Sequence, residues 1–181
     1  TSIWFADPQP QTKDEIEFIR DDVVAELIGT DAAFGITLGD ITYDDLSLYP
    51  RLSRNIAQIG VPWYPVPGNH DINKLAETDA AALDTFRRHF GPPYYSFEYG
   101  GVDFVVLDTV WYEGTSLGSD DPDPLGSGPY TGGIGERQLA WFANDLRRVP
   151  RDRLVVLAMH IPLHSELDPE EPKINVADRQ Q

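Results

Sequence analysis

Short apolar runs alternate with amphipathic helical stretches along nearly the whole chain, and that alternation restricts it to an α/β sheet protein. The runs are "IWFA" at 3–6, "AFGITLG" at 33–39, "VPWYPVPG" at 61–68 and "RLVVLAM" at 153–159. The first is too uniformly apolar for a strand with one wet face, so a fully buried strand of a parallel or mixed sheet is expected there. The last reads as another buried strand. The prolines of 61–68 push that strand toward a sheet edge. Residues 14–28 place Ile16, Ile19, Val23 and Leu27 on one helical face. Acidic residues crowd the first turn of that helix, where its dipole favours them, and Gly29 supplies a stop. A second helix is expected over 47–59 through Leu48, Leu52, Ile56 and Ile59, a third over 78–89, and a fourth over 135–148 through Leu139, Phe142 and Leu146. One passage breaks the rhythm: "YYSFEYGGVDFVVLDT" at 94–109 is two β-rich runs around Gly100-Gly101, a hairpin signal. Residues 113–134 read as a loop of the length that usually carries function or is disordered. No repeat or linker divides the chain, so residues 1–181 read as one domain with helices outside the sheet.

Charge narrows the partners. A formal charge of −16 lacks the clustered Lys and Arg that a nucleic-acid backbone needs, so nucleic acid is not expected as a general partner. The same charge repels a free phosphate ester, so phosphate chemistry here requires bound cations. With no Cys there is no disulfide framework, zinc-thiolate site or Cys nucleophile. No apolar stretch approaches the roughly 18 residues that span a membrane, and no charged-then-apolar leader precedes the first strand. A soluble protein without a membrane partner is the expectation. Its compartment and oligomeric state stay open.

The polar residues just after each strand carry the chemistry. Asp7 and Gln9 follow "IWFA", Asp40 follows "ITLG", Asn69 and His70 follow "WYPVPG", and His160 follows "VVLAM". Open α/β sheets bind ligands beyond the carboxyl ends of their strands. Four strands therefore send O and N donors to one edge, a set suited to divalent cations such as Mn, Fe, Mg or Zn. Taken alone, Asp7-Pro8 is only a turn signal; the convergence makes it more.

"GD" at 39–40, "GNHD" at 68–71 and "MH" at 159–160, behind an early Asp-x-ligand motif, resemble the calcineurin-like metallophosphoesterases. "GPPYYSFEYGGVDFVVLDT" at 91–109 and "GERQLAWFANDL" at 135–146 are also similar to stretches of that superfamily. The resemblance implies a layered α/β/β/α sandwich and a dinuclear metal site. It implies that Asp40 bridges two ions, that Asp7 serves the first, and that Asn69 and His160 serve the second. It further implies attack on phosphorus by a hydroxide between the ions, with His70 off the metals and facing the leaving oxygen. Asp44 or Asp45 is the candidate to orient His70; both also read as surface acids.

Two departures qualify that picture. The family usually begins Asp-x-His, and here Asp7-Pro8-Gln9 stands instead, as in a subset that includes protein-phosphatase-like members. A Gln carbonyl is a neutral, harder donor than imidazole, so Gln9 favours Mg or Mn over zinc. The later Gly-His-x-His motif is missing, so the chain reads as a piece of a longer domain, incomplete at its C-terminus. The implied activity is hydrolysis of a phosphomonoester, on a phosphoprotein or a small ester. The alternative is a non-catalytic module of the same fold that binds a ligand or partner.

Other polar residues have plainer readings. His164 reads as an exposed loop residue. His89, beside Arg87 and Arg88, reads as a cation at a helix C-terminus. Asp71 reads as a cap of the following turn, and Asp108 as a structural hydrogen-bond acceptor. The run "SDDPDP" at 119–124 lacks the Gly and distal Glu of an EF-hand loop and reads as solvated. Trp111, Tyr112 and Tyr130 form either a substrate wall or core packing.

Overall fold

A computed structural model describes residues 1–114, 130–166 and 176. Strands β1 (Ile3–Phe5), β2 (Gly35–Leu38) and β3 (Trp63–Val66) form one parallel sheet in that order. A second sheet has the order β4 (Tyr95–Tyr99), β5 (Val102–Val106), β8 (Leu154–Ala158), antiparallel in its first pair and parallel in its second. Short strands β6 (Val110–Tyr112) and β7 (Tyr130–Gly132) pair antiparallel nearby. Tight pairing of β4 with β5 runs through Gly100 (φ 61°) and Gly101 (φ 79°), the two left-handed positions that a two-residue hairpin requires.

The period of two along the strands separates two cores. Phe34, Ile36 and Val66 of the first sheet face Phe104, Val106 and Ala158 of the second. On β5 and β8 the alternate residues Val105, Val155 and Leu157 turn the other way. There they join a larger cluster with Ile16, Leu52, Phe86 and Leu139 from the helices. The result is helix, sheet, sheet, helix, as the resemblance implied. Gly35 faces Trp63 in register, and a Cβ there would collide with the indole, whose Nε1–H donates to Thr37 Oγ1 at 2.7 Å.

The helices follow their apolar spacing. Segments α1 (Lys13–Phe18) and α2 (Ala25–Leu27) run on from one another through a π-helical stretch, Ile19–Val24. Thr12 caps the start by accepting from Glu15 N, and Gly29 (φ 82°) follows the end. Then come α3 (Tyr49–Ile56), α4 (Asp79–Ala82), α5 (Asp84–Phe90) and α6 (Glu136–Leu146). No helix among the described residues is long and apolar enough to cross a membrane.

Three expectations need correction. β1 is not fully buried: it is an edge among the described strands, Ile3 is only partly buried, and Trp4 is 41% exposed. β8 is likewise an edge among the described strands, with Leu154 exposed. Within 113–134, read as loop, both β7 and the buried side chains of Tyr130 and Ile134 occur. The prolines of β3 do sit at an edge, as their missing N–H groups require. The run 119–124 lies outside the described residues. Val176, fully buried, makes a parallel bridge to Gly132.

Candidate metal centre

The ends of β1, β2, β3 and β8 bring Asp7, Asp40, Asn69, His70 and His160 into one place. Ligand-capable atoms of Asp7, Asp40 and His160 lie within 4.8 Å of one another. Asn69 Oδ1 is 3.0 Å from His160 Nε2, and Asp40 Oδ1 is 3.4 Å from the same nitrogen. On its other side the His160 ring meets the Leu38 carbonyl at 2.9 Å from Nδ1. A carbonyl only accepts, so Nδ1–H donates there and Nε2 is the ring atom that faces the cluster. Nε2, with Asn69 Oδ1 at 3.0 Å and Asp40 Oδ1 at 3.4 Å, makes a set of nitrogen and oxygen ligand atoms of the kind that suits a divalent cation. The donor set passes the test of chemistry.

Backbone geometry aims these groups. The only non-glycine residues with positive φ among those described are Asp7 (48°), Gln9 (40°), Asp40 (51°) and Asp44 (64°). All four had been singled out from the sequence. Left-handed backbone is unfavourable for side chains with a Cβ and recurs at functional sites. Two glycines make room. A Cβ on Gly39 would run into the His160 ring, and one on Gly68 into the backbone N and carboxylate of Asp40.

Asp40 is buried and fully engaged. Its Oδ1 accepts from the His70 N–H at 2.9 Å, and its Oδ2 from Gln9 Nε2 at 2.6 Å. Gln9 therefore presents its amide nitrogen, not the expected carbonyl, because an unshared carboxylate attracts a donor. A half-turn of the terminal amide exchanges the two. Asp7 is the exposed member. Burial of part of its carboxyl raises it above the usual carboxylate range, opposed by His160, aided by Asp40 and opposed again by His70.

His70 is held on three sides. Its Nδ1 is 2.7 Å from Asp44 Oδ1, its backbone N–H is on Asp40, and Tyr43 stacks on its ring at 4.3 Å and 25°. Its Nε2 stays 3.9 Å from Asp40 Oδ2. Asp44, not Asp45, is the residue against His70; Asp45 instead caps the next turn through Ser47 N and Oγ. Asp71 is more than a cap. It is fully buried and accepts from Gly68 N (2.8 Å), Tyr49 OH (2.8 Å) and Ile41 N (3.1 Å), tying the loops after β2 and β3 together. Burial pushes its carboxyl up to about 7, against the Gly68 N–H and the Tyr49 hydroxyl.

The remaining candidates fall elsewhere. His164 is exposed. His89 lies in the last turn of α5, as expected, where it also bonds Ser53 Oγ at 2.9 Å and stacks on Tyr49; burial lowers its proton affinity. Tyr112 and Tyr130 are buried cross-strand partners, which makes them core, while Trp111, next to Tyr112 and paired with Thr131, is exposed. A cleft of about 900 Å³ is lined by Asp79, Arg87, Asp108, Trp111 and Glu136 and contains none of the cluster. The sequence reading missed Lys74, whose Nζ is 2.7 Å from Asp44 Oδ1, and the stacking of Tyr43. Only their closeness to the "GD" and "GNHD" motifs pointed to them.

Comparison with known proteins agrees with this geometry. The calcineurin-like phosphoesterase family profile matches residues 4–178. The serine/threonine-protein phosphatase CPPED1 of Pongo abelii is 46% identical over 56 residues, covering 31% of this chain and 17% of that protein. The tartrate-resistant acid phosphatase type 5 of Mus musculus is 30% identical over 145 residues, covering 75% of this chain and 39% of its own length. In each case the match spans less than half of the relative. A dimetal phosphatase from Danio rerio superposes with a TM-score of 0.63 at 15% identity, over 99% of this chain and 74% of that one, which is a likeness of fold.

Proposed function

The chain belongs to the calcineurin-like phosphoesterase family, and on that premise we propose that it hydrolyses a phosphomonoester with the help of two divalent cations. The observation that carries the reading is the convergence of ligand-capable atoms of Asp7, Asp40, Asn69 and His160 beside an imidazole held by Asp44. Asp40 would be shared by the two cations, with Asp7 and Gln9 holding one and Asn69 and His160 the other. Gln9, a neutral oxygen donor, favours manganese or magnesium. When bound, the cations polarise phosphoryl oxygens and make water nucleophilic near neutral pH.

The remaining work belongs to side chains. Asp44 accepts from His70 Nδ1–H, so the Nε2 of His70 is the atom that holds the movable proton. We assign it the role of general acid to the leaving oxygen. The name of one relative, a serine/threonine-protein phosphatase, makes a phosphoserine or phosphothreonine ester a reasonable substrate beside small esters. The test is a manganese-supplemented assay of the full-length protein on nitrophenyl phosphate and on a phosphoserine peptide. Manganese-dependent phosphate release from either is expected. Release from neither, with manganese bound, would leave the fold as a binding module.

A further inference from the structure

We propose that Lys74 is a positioning residue, holding Asp44 so that Asp44 can fix the ring of His70. This inference rests on the proposed role of His70, and the experiment below separates the two. A single oxygen, Asp44 Oδ1, receives both His70 Nδ1 and Lys74 Nζ, each at 2.7 Å. The side chains of His70, Lys74 and Asp44 are only 11%, 15% and 24% exposed. A fully exposed ion pair adds little stability and holds little in place. This one is sheltered and shares its acceptor with an imidazole, so losing it frees a carboxylate that another group depends on.

Each partner is anchored independently of the other. Lys74 sits in a turn closed by Ala76 N on the Asn73 carbonyl (2.9 Å) and by Leu75 N on Asn73 Oδ1 (3.1 Å). Asn73 N reaches the Ala82 carbonyl at 2.7 Å, and the buried Tyr112 hydroxyl donates to the Lys74 carbonyl at 2.7 Å. Asp44 belongs to a different loop, held by Tyr43 N on the Pro10 carbonyl at 3.2 Å and by Leu46 N on its own carbonyl at 3.2 Å. The left-handed backbone of Asp44 fixes where its side chain starts, not where its carboxylate ends. Lys74 supplies the second constraint. In a chain of net charge −16, with Asp40 across the His70 ring, a carboxylate without that cation turns toward water. His70 then loses the acceptor that selects its Nδ1–H tautomer.

The variants are Lys74→Met, which keeps the stem and removes the donor, and Lys74→Arg, which restores a cation. In the full-length, metal-loaded protein, Lys74→Met should lower kcat about 10-fold on a phosphoserine peptide and less than about 2-fold on nitrophenyl phosphate, whose leaving group hardly needs a proton. KM and metal content should stay as in the parent, and Lys74→Arg should recover most of the loss. An independent readout needs no turnover: the downfield Nδ1–H proton resonance of His70, read by NMR. It should be present in the parent, absent in Lys74→Met and present in Lys74→Arg. Absence of turnover in the parent would overturn the proposed activity while the resonance still decides on Lys74. A resonance that survives in Lys74→Met, or equal deficits on the two esters, would overturn the inference.

Discussion

His70 is tied to Asp40 through its main chain: the His70 N–H donates to Asp40 Oδ1 at 2.9 Å, while the ring Nε2 stays 3.9 Å from Oδ2. The residue is thus built into the wall of the cluster by its backbone and leaves its side chain free for other work. Changing that side chain removes chemistry without removing the link.

His70→Asn should therefore retain metal content close to that of the parent. On the proposed mechanism the rate should fall by roughly 10²–10⁴-fold for an alkyl phosphate such as phosphoserine. The deficit should be smaller for a nitrophenyl ester. Metal analysis alongside kinetics on both substrates checks this. Metal lost in step with activity would make His70 a ligand or a structural residue.

Asp40→Asn removes the one anion to which His70, Gln9 and His160 all turn. Manganese binding measured by calorimetry should disappear. Unchanged affinity in that variant would remove Asp40 from the centre of the site.

Gly68→Ala tests packing alone. Gly68 has φ −117° and ψ −177°, which any residue adopts, so backbone strain plays no part. The added methyl would meet the Asp40 backbone and carboxylate. Manganese affinity should fall by at least about tenfold, as expected when a tight site is overpacked by one methyl group. An alanine variant that binds like the parent would show that this approach is not needed.

Asp108 sets a pH dependence. Burial pushes its carboxyl up to about 7 from the ordinary 3.8, against the Val110 N–H and with help from Asp79. The folded state thus holds this proton more tightly than the unfolded state does. The resulting stability is full below about 3.8 and is lost as the pH rises through about 7. Asp108→Asn mimics the neutral form. The drop in urea midpoint of the metal-free protein between pH 5 and pH 8 should be smaller in the variant. An equal drop in both would place the ionisation elsewhere.

Donor positions were legible in the sequence because strand ends are marked by abrupt changes from apolar to polar text. Asp7, Asp40, Asn69 and His160 all stood at such changes, and the structure gathers them. Strand neighbours were not legible. Trp4 reads as buried from its apolar flanks, and only the sheet order shows that β1 is an edge. Period and composition describe one segment at a time, whereas burial depends on what another segment covers. Spacing alone left Asp44 and Asp45 both open for a related reason; the structure sets Asp44, a residue with left-handed backbone, against His70. Lys74 was invisible because a lone lysine in a turn carries no local pattern. β6 and β7, three residues each, are too short for alternation to register.

The left-handed backbone at Asp7, Gln9, Asp40 and Asp44 carries a consequence for how such a protein can change. Each position would be more comfortable as glycine, by about 1 kcal/mol. Natural domains are stable by only about 5–15 kcal/mol in all, so a few such gains are large. Selection for heat resistance without selection for activity would therefore dismantle this edge of the sheet first, replacing its acids and amide while the strands beneath stayed as they are. On the proposed function, thermal robustness and chemistry compete at the same four residues, and a stabilised descendant would keep the fold and lose the site.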